Sequence, residues 1–450
     1  MADSSNLLIA LADWATSLPP LGAAAERESR LSLIDTIAVM LAGRDEPQVA
    51  RARDAIFAAG MSGPSRALVA DGALQASAAA LPNGTSAHAL DYDDYERFGS
   101  THPGAVLVGA LLAVAEERWV TLGQVIHAHA VGYEAICRLG QALGYGHYEK
   151  GWHATATLGP IGGAAAVVHL IGLPEGQMVS AMSLAASMAA GMKRQFGSDA
   201  KAVHAGLAAR ASVEAAMLAA AGIEARPDVI EGSYGFLALY GAADAPGTAA
   251  PAAELGAPLI GTEGPMRKPW PCCAYTHRAI EAAEALAARP GFGASAVKRA
   301  VLRIPEPYLR VAGFTDPTDP NEARFSAGYC VAAALLDGRI TPESFRTESV
   351  ARPEAQAMLA RVELDPYPLA VGLGDISPEA PDTVTLTMAD GSEQAETVAH
   401  VFGGPGRPMT EEAIIEKFTM AGGDVGVALN LLNYSADEAI RYSLIEAKNC

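Results

Sequence analysis

Residues Gly104–Glu116 read GAVLVGALLAVAE, a run in which apolar side chains occupy almost every position around the helical turn. A helix that is apolar on all sides must be covered by protein on all sides. The same composition returns in Ser180–Met192 (SAMSLAASMAAGM) and in Ala202–Ala221, where small residues favour close helix packing. We therefore predict a mainly α protein built around a core of closely packed helices.

The pattern changes after Lys268. Val297–Ile304 (VKRAVLRI) and Thr383–Met388 (TVTLTM) are typical of strands, and Asp390-Gly391 is a hairpin signal. Strands and helices are mixed in this part, and a helical pattern returns after Gly406. These changes predict a large all-helical domain over residues 1–266, a smaller α+β lid domain over 267–404, and C-terminal helices over 405–450 that pack back on the helical domain.

Composition and charge exclude several classes of protein. Among 450 residues, 51 are acidic and 32 basic, for a net charge of −19, so we expect no nucleic-acid partner. The five cysteines have no disulfide or zinc spacing, and Met1–Pro19 lacks a basic leader, which together favour the cytoplasm. Gly151–Pro174 is uncharged over a membrane-spanning length, but its Pro and Gly residues predict a loop and a buried helix, without a membrane partner.

The densest polar segment lies just before the Gly104–Glu116 helix. It contains His88, Asp91, Asp93 and Asp94, and His102 follows shortly after. Aspartate and histidine are common metal ligands, so the cluster could hold a metal ion. Aspartates also cap helix N-termini, and the same groups could form a metal-free catalytic loop. The sequence leaves these three interpretations open.

A second polar segment, Tyr145–Thr155, leads into the uncharged run and contains Tyr148 and His153. A histidine at such a junction is desolvated, and its proton affinity can then be tuned for general acid or base catalysis. The alternative is a buried histidine that bonds a backbone carbonyl. Spacing alone does not decide between the two.

Basic residues stand beside apolar helices at two further places. Lys201 precedes the Ala-rich helix, and Lys268 lies at the predicted domain boundary, where clefts tend to form. Such lysines either cap helix ends or bind an anion in a cleft. Tyr329 opens another apolar helix, where it either packs in the core or directs its hydroxyl into the cleft.

Taken in order, these segments resemble the MmgE/PrpD family. The matching stretches are Asn83–Gly104, Gly146–Gly159, Lys201–Arg210, Lys268–His277, Ala323–Gly338 and Gly406–Phe418, which together cover nearly the whole chain. The resemblance implies a homodimer of a helical domain and an α+β lid that acts on small di- or tricarboxylates without a cofactor or metal. It also implies the site residues, which are the catalytic Asp91, His102, His153 and Lys201 and the substrate-binding Tyr148, Lys268, His277 and Tyr329.

The chemistry implied by the resemblance begins with a C–H bond beside a carboxylate. Its cleavage requires a base and cations that stabilise the developing enediolate. We expect Lys201, Lys268 and His102 to bind the carboxylates of the substrate. His153 or Lys201 exchanges the carbon-bound proton, and Asp91 orients a neighbouring imidazole.

We predict a lyase that eliminates water, as 2-methylcitrate dehydratase does. Tyr95 and Cys273 differ from the residues expected in the decarboxylase branch of the family, which favours elimination over decarboxylation. The first alternative is an epimerase of an iminodisuccinate-type dicarboxylate that uses two bases. The second is a metal-dependent hydrolase that uses the cluster His88, Asp91, Asp93 and His102.

Overall fold

The computed structural model describes residues 6–68, 72–370 and 376–438. Within them, helices dominate and strands form one two-stranded and one four-stranded sheet. The helices of the first part are α1 (Leu7–Ser17), α2 (Ala23–Gly43), α3 (Pro47–Ala58), α4 (Ala76–His88), α5 (Pro103–Glu117), α6 (Leu122–Leu143), α7 (Tyr145–Glu149), α8 (Ala154–Ile171), α9 (Glu175–Met188), α10 (Asp199–Ala220), α11 (Phe236–Tyr240) and α12 (Ala249–Ala253). The predicted mainly α class is confirmed.

The remaining elements follow residue 276. The helices are α13 (His277–Ala287), α14 (Glu306–Leu309), α15 (Pro320–Ala323), α16 (Ala327–Asp337), α17 (Thr347–Ala351), α18 (Pro353–Leu359), α19 (Glu411–Met420) and α20 (Val425–Asn433). The strands among the described residues are β1 (Ser62–Arg66), β2 (Ala73–Leu74), β3 (Val297–Pro305), β4 (Val362–Tyr367), β5 (Asp382–Met388) and β6 (Glu393–Val398).

The helical part is organised around α4, α5, α8 and α10, which pack against one another. Helix α8 has the length and apolar composition of a membrane span, yet 89% of it is buried inside the protein. It is therefore a core helix, as the sequence predicts. Small residues permit this packing: a Cβ added to Gly206 on α10 would lie 2.2 Å from Thr85 Oγ1 on α4.

The smaller part carries the four-stranded sheet, with the strand order β4-β3-β5-β6. Strand β3 pairs parallel to β4 and antiparallel to β5, and β5 and β6 form the hairpin predicted at Asp390-Gly391. Gly391 has a φ of 85°, which the turn requires and which glycine adopts without strain. Helix α13 covers the sheet and also packs against α16.

The chain returns to the helical part after residue 405. Thr410 caps α19, since its hydroxyl accepts from the backbone N–H of Ala413. Helix α19 packs on α2, where the Lys417 ammonium lies 2.8 Å from Asp35. The end of the predicted C-terminal segment, residues 439–450, lies outside the described residues, and the domain boundaries at 266 and 404 stay predictions.

The close approach of α4 and α10 makes Gly206 a sensitive position. We expect Gly206→Ala to destabilise the protein by about 1–3 kcal/mol, because the added methyl group forces the two helices apart. The matched control is Gly176→Ala in the first turn of α9, where an added Cβ meets no atom within 4 Å. Urea denaturation of both variants measures the difference. Equal stability of the two variants would show that the helix contact tolerates a side chain.

Candidate active site

The polar segment after α4 is held in place by its backbone. Asp91 has a φ of 49°, in the left-handed region, so the chain turns sharply after the end of α4. Further on, the backbones of Tyr95 and Met266 exchange two hydrogen bonds of 2.9 and 2.8 Å. This pairing brings the segment that contains Lys268 next to the aspartates.

Lys201 projects from the first turn of α10 into the same place. Its ammonium donates to Asp91 Oδ1 at 2.6 Å and to His88 Nε2 at 2.8 Å. The side chain is buried, and its Nζ also lies 5.2 Å from the rings of Phe196 and of Phe325. An ammonium has three N–H donors, so two hydrogen bonds leave one for a ligand.

Lys268 contributes a second ammonium to Asp91. Its Nζ lies 3.1 Å from Asp91 Oδ1 and donates to the Asp91 carbonyl at 2.8 Å. Burial alone would raise the pKa of Asp91, but the ammonium groups of Lys201 and Lys268 outweigh it and hold that pKa well below its usual range. Although burial acts in the opposite direction, Asp91 and Asp93 raise the pKa of Lys268. The carboxylate and the Lys268 ammonium are therefore both charged at neutral pH.

His88 links Lys201 to a second aspartate. Its Nδ1 lies 2.7 Å from Asp93 Oδ2, while its Nε2 faces the Lys201 ammonium. Because an ammonium only donates, Nε2 must accept and Nδ1 carries the proton. Burial, reinforced by the charge of Lys201, lowers the pKa of His88 well below its ordinary value. His88 is therefore a neutral imidazole in a fixed tautomer.

His102 has one ring nitrogen engaged by the backbone. Its Nδ1 lies 2.8 Å from the carbonyl oxygen of Asp94, which can only accept, so Nδ1 carries the proton. This leaves Nε2 with a lone pair for a ligand. Burial lowers the pKa of His102 well below its ordinary value, against the opposing charge of Asp93. His102 therefore has the protonation state of a general base.

His153 forms the N-cap of α8 and pairs with another histidine. Its Nδ1 lies 3.0 Å from Nδ1 of His204, one turn beyond Lys201 on α10. Its Nε2 is buried and has no hydrogen-bond partner among the residues that the structure describes. Burial, and next to it the Lys201 charge, lower the pKa of His153 well below its ordinary value. A buried nitrogen without a partner is poised to receive a hydrogen bond from, or donate one to, a ligand.

Several of these groups line one cavity of about 450 Å³. Six of the predicted site residues stand on its wall: Asp91, His102, Tyr148, His153, Lys201 and Lys268. The rings of Phe196, Phe325 and Tyr275 also line it, together with Tyr95, Cys273 and Val311. Burial, and next to it the charge of Asp91, raise the pKa of Cys273 to about 12, so its sulfur is a thiol and not a nucleophile.

The two remaining predicted residues, His277 and Tyr329, do not line this cavity. The Tyr329 hydroxyl donates to the Ser344 carbonyl at 2.5 Å, and the side chain is fully buried against the ring of Phe345. His277 Nε2 lies 3.1 Å from the Cys272 carbonyl, and its ring packs edge-on against Trp270. The Tyr329 hydroxyl is occupied, while His277 Nδ1 is buried without a hydrogen-bond partner among the described residues. Because neither residue lines the cavity, we do not assign them to substrate.

The comparison with known families follows the whole length of the fold. Residues 9–248 match the sequence model of the MmgE/PrpD N-terminal domain, and residues 270–428 match that of the MmgE/PrpD C-terminal domain. The chain belongs to the MmgE/PrpD family. The resemblance drawn from the sequence segments is thereby confirmed.

Several relatives within the MmgE/PrpD family carry the name cis-aconitate decarboxylase. The protein of Mus musculus is 28% identical over 359 residues, which cover 76% of this chain and 70% of the relative. That of Homo sapiens is 29% identical over 361 residues, covering 76% of this chain and 71% of the relative. That of Aspergillus terreus strain NIH 2624 is 29% identical over 379 residues, covering 77% and 75%.

Reasoning from the sequence gave no catalytic or binding role to two groups of this MmgE/PrpD site. The sequence pattern does not single out His204, although its spacing of three residues from Lys201 places both on one helix face. The sequence leaves His88 and Asp93 open as metal ligands, as part of a helix cap or as part of a catalytic loop, without a specific role. Their ligand atoms do cluster with those of Asp91 and His102, within 4.8 Å of one another. However, the Lys201 ammonium already donates to His88 Nε2 and to Asp91 Oδ1. Its positive charge would repel a divalent cation at this place.

Asp94 gives this region a measurable pH dependence. Burial, followed by the charges of Asp35 and Asp93, raises its pKa from 3.8 to about 8. The folded protein therefore binds a proton that the unfolded chain releases between about pH 4 and 8, and the stability contributed by this proton falls as pH rises through that range. We expect Asp94→Asn to remove this loss, so the variant gains stability relative to wild type between pH 5 and 8.

Denaturant titrations at several pH values measure this difference. Asp13→Asn, at an exposed position of α1, is the matched control and should follow the wild type. A constant offset between Asp94→Asn and wild type would contradict the assignment of a raised pKa.

Proposed function

We propose that this protein is a lyase that acts on a small tricarboxylate and moves a proton at a carbon beside a carboxylate. The observation that carries the proposal is the convergence of two ammonium groups and two neutral imidazoles on one buried cavity. The ammonium groups of Lys201 and Lys268 suit an anionic substrate. The imidazoles of His102 and His153 suit proton transfer near neutral pH.

Lys201 and Lys268 have the role of charge stabilisers in this proposal. Proton removal beside a carboxylate places a second negative charge on that group, and a preorganised cation in a buried site stabilises it strongly. The Lys201 Nζ lies 2.6 Å from Asp91 Oδ1 and donates to it, an ion contact that suits the role of a cation. We assign the proton transfer to an imidazole and the stabilisation of charge to Lys201.

His102 and His153 are the acid–base pair of the proposal. His102 has an accepting Nε2, because its Nδ1–H is held by the Asp94 carbonyl. His153 Nε2 lies on the cavity without a partner among the described residues. One imidazole removes the proton, and the other protonates the leaving group or the new carbon centre. The Tyr148 hydroxyl is assigned to a substrate carboxylate.

The bond that breaks after proton transfer distinguishes the candidate reactions. Elimination of water remains our first candidate, based on Tyr95 and Cys273, which both line the cavity. Loss of carbon dioxide is the second candidate, and it is supported by the relatives named cis-aconitate decarboxylase. Both reactions begin with the same substrate class and need the same cations. The homodimer and the cytoplasmic location stay predictions.

The reaction is tested with 2-methylcitrate, citrate, cis-aconitate and iminodisuccinate isomers in heavy water, followed by NMR in the presence of a chelator. We expect deuterium at a carbon beside a carboxylate, together with loss of water or of carbon dioxide. Lys201→Met should lower turnover about 10²–10³-fold, by removal of a charge stabiliser. Lys298→Met, at an exposed position of β3, is the control.

Each other outcome of this experiment has a definite meaning. Inversion without loss of water or carbon dioxide would favour the epimerase alternative. Loss of activity in the chelator would favour a metal-dependent enzyme and contradict the roles given to the two lysines. No exchange into any of these compounds would overturn the proposed function.

The lowered pKa of both imidazoles predicts the acid side of the pH profile. A base works when it is neutral, and burial keeps the pKa of His102 and of His153 below 6.5. We therefore expect kcat/KM to stay constant from pH 8 down to about 6.5 and to decline only at lower pH. A decline centred at or above pH 6.5 would show that neither imidazole is the desolvated base described here.

A further inference from the structure

A second cavity lies immediately outside the candidate active site. It is an open cleft of about 1,310 Å³ between the segments around residues 150 and 193 of the helical part and residues 309–314 of the smaller part. Phe196 and Val311 line both this cleft and the active-site cavity. The two spaces are therefore neighbours that share a wall.

The charges on the cleft have one sign. Its lining contains Lys150, Lys193, Arg194 and Arg310 and, among the described residues, no aspartate or glutamate. This contrasts with the chain as a whole, in which acidic residues outnumber basic ones by 51 to 32. Charged residues drawn at random from this chain would be mainly acidic.

Two of these four cations, Lys150 and Arg194, have no carboxylate partner among the described residues. The Lys150 ammonium donates to the carbonyls of Leu239 and Gly241, at 3.0 and 3.1 Å, and these acceptors are neutral. Arg194 is exposed, and within residues 6–68, 72–370 and 376–438 no carboxylate forms an ion pair with it or with Lys150. Arg310 does pair with Glu306, at 2.9 Å, but in an exposed position.

Phe196 stands between the cleft and the catalytic groups. Its ring meets the His153 ring edge-on, with 5.0 Å between the centroids, and lies 5.2 Å from the Lys201 Nζ. An anion in the cleft is therefore separated from the inner ammonium by a shared wall that includes Phe196 and Val311. Cationic side chains therefore line both the outer cleft and the inner cavity, with Lys150 and Arg194 in the first and Lys201 and Lys268 in the second.

We propose that the cleft is an outer binding subsite that captures the polycarboxylate and delivers it past Phe196 to Lys201 and Lys268. The proposal rests on the substrate class of the proposed function. A protein of charge −19 repels a trianion at long range, so a local positive cleft is needed for fast association. Charged clefts with low-dielectric walls raise association rates by about 10–10³-fold, and salt weakens this effect.

The test is stopped-flow association of propane-1,2,3-tricarboxylate, a trianion without a leaving group, monitored by tryptophan fluorescence. Trp152 lines the cleft and serves as the reporter. The test variant is Lys150→Gln/Arg194→Gln. The control, Arg118→Gln/Lys298→Gln, makes the same change in charge at exposed positions that do not line the cleft.

We expect the association rate constant of the cleft variant to fall about tenfold at low salt, and its dependence on ionic strength to flatten. The control should keep the wild-type rate and salt dependence. With a turned-over substrate, kcat/KM should fall in parallel while kcat is unchanged. The dianion succinate should show a smaller difference between the two variants.

The possible failures are distinguishable. If wild type binds the tricarboxylate and both variants associate equally fast, the outer subsite is overturned and the proposed function stands. If wild type does not bind the tricarboxylate at all, the proposed substrate class is wrong, and the outer subsite is overturned with it.

Discussion

The site depends on one carboxylate, Asp91, held between two buried ammonium groups. An isolated ion in the protein interior costs several kcal/mol, so each of the three groups needs the others. Removal of one partner from such an arrangement costs about 3–5 kcal/mol, because a charge remains buried without compensation. Lys201 comes from α10, Lys268 from the segment after Met266, and Asp91 from the turn after α4. The ion contacts therefore bind together three segments that are far apart in the chain.

This arrangement requires helices that approach unusually closely. Lys201 on α10 lies 2.6 Å from Asp91 in the turn after α4, so this contact requires the two helices to lie close together. Gly84 and Gly206 face each other across these helices, and a Cβ on either would meet backbone atoms of the other helix within 3.0 Å. Small residues in the core are thus the precondition for the charged site, since bulkier helices would hold the carboxylate and the ammonium apart.

The sequence predicted the elements with strong patterns and missed those whose pattern is weak. The apolar runs gave the core helices, and Asp390-Gly391 gave the β5–β6 hairpin. Strand β4 was missed because Asp365 and Pro366 interrupt its alternation. Six of the eight predicted site residues line one cavity. They could be predicted because segments rich in polar residues are easily recognised between apolar helices. Tyr329 and His277 do not reach it, because a sequence shows which residue opens a helix but not which face meets the cavity.

The proton positions in the site complete the chemical argument. His88 and His102 each have a fixed tautomer, because an ammonium contacts Nε2 of the first and a carbonyl contacts Nδ1 of the second. His153 and His204 differ, since two Nδ1 atoms 3.0 Å apart share a single proton. When His153 holds it, its Nε2 has a lone pair and is a base; when His204 holds it, the neutral His153 carries its proton on Nε2 and is an acid.

When His153 Nε2 takes a proton from carbon and its Nδ1 proton passes to His204, His204 becomes an imidazolium. The neutral His153 is then left with a proton on Nε2 and can act as an acid without any movement of its side chain. A lyase needs both roles in one turnover, because the proton taken from carbon and the proton given to the leaving group pass at different moments. In the proposed mechanism, the contact with His204 therefore lets His153 take either role in the acid–base pair that it forms with His102, next to the proposed charge-stabilising cations.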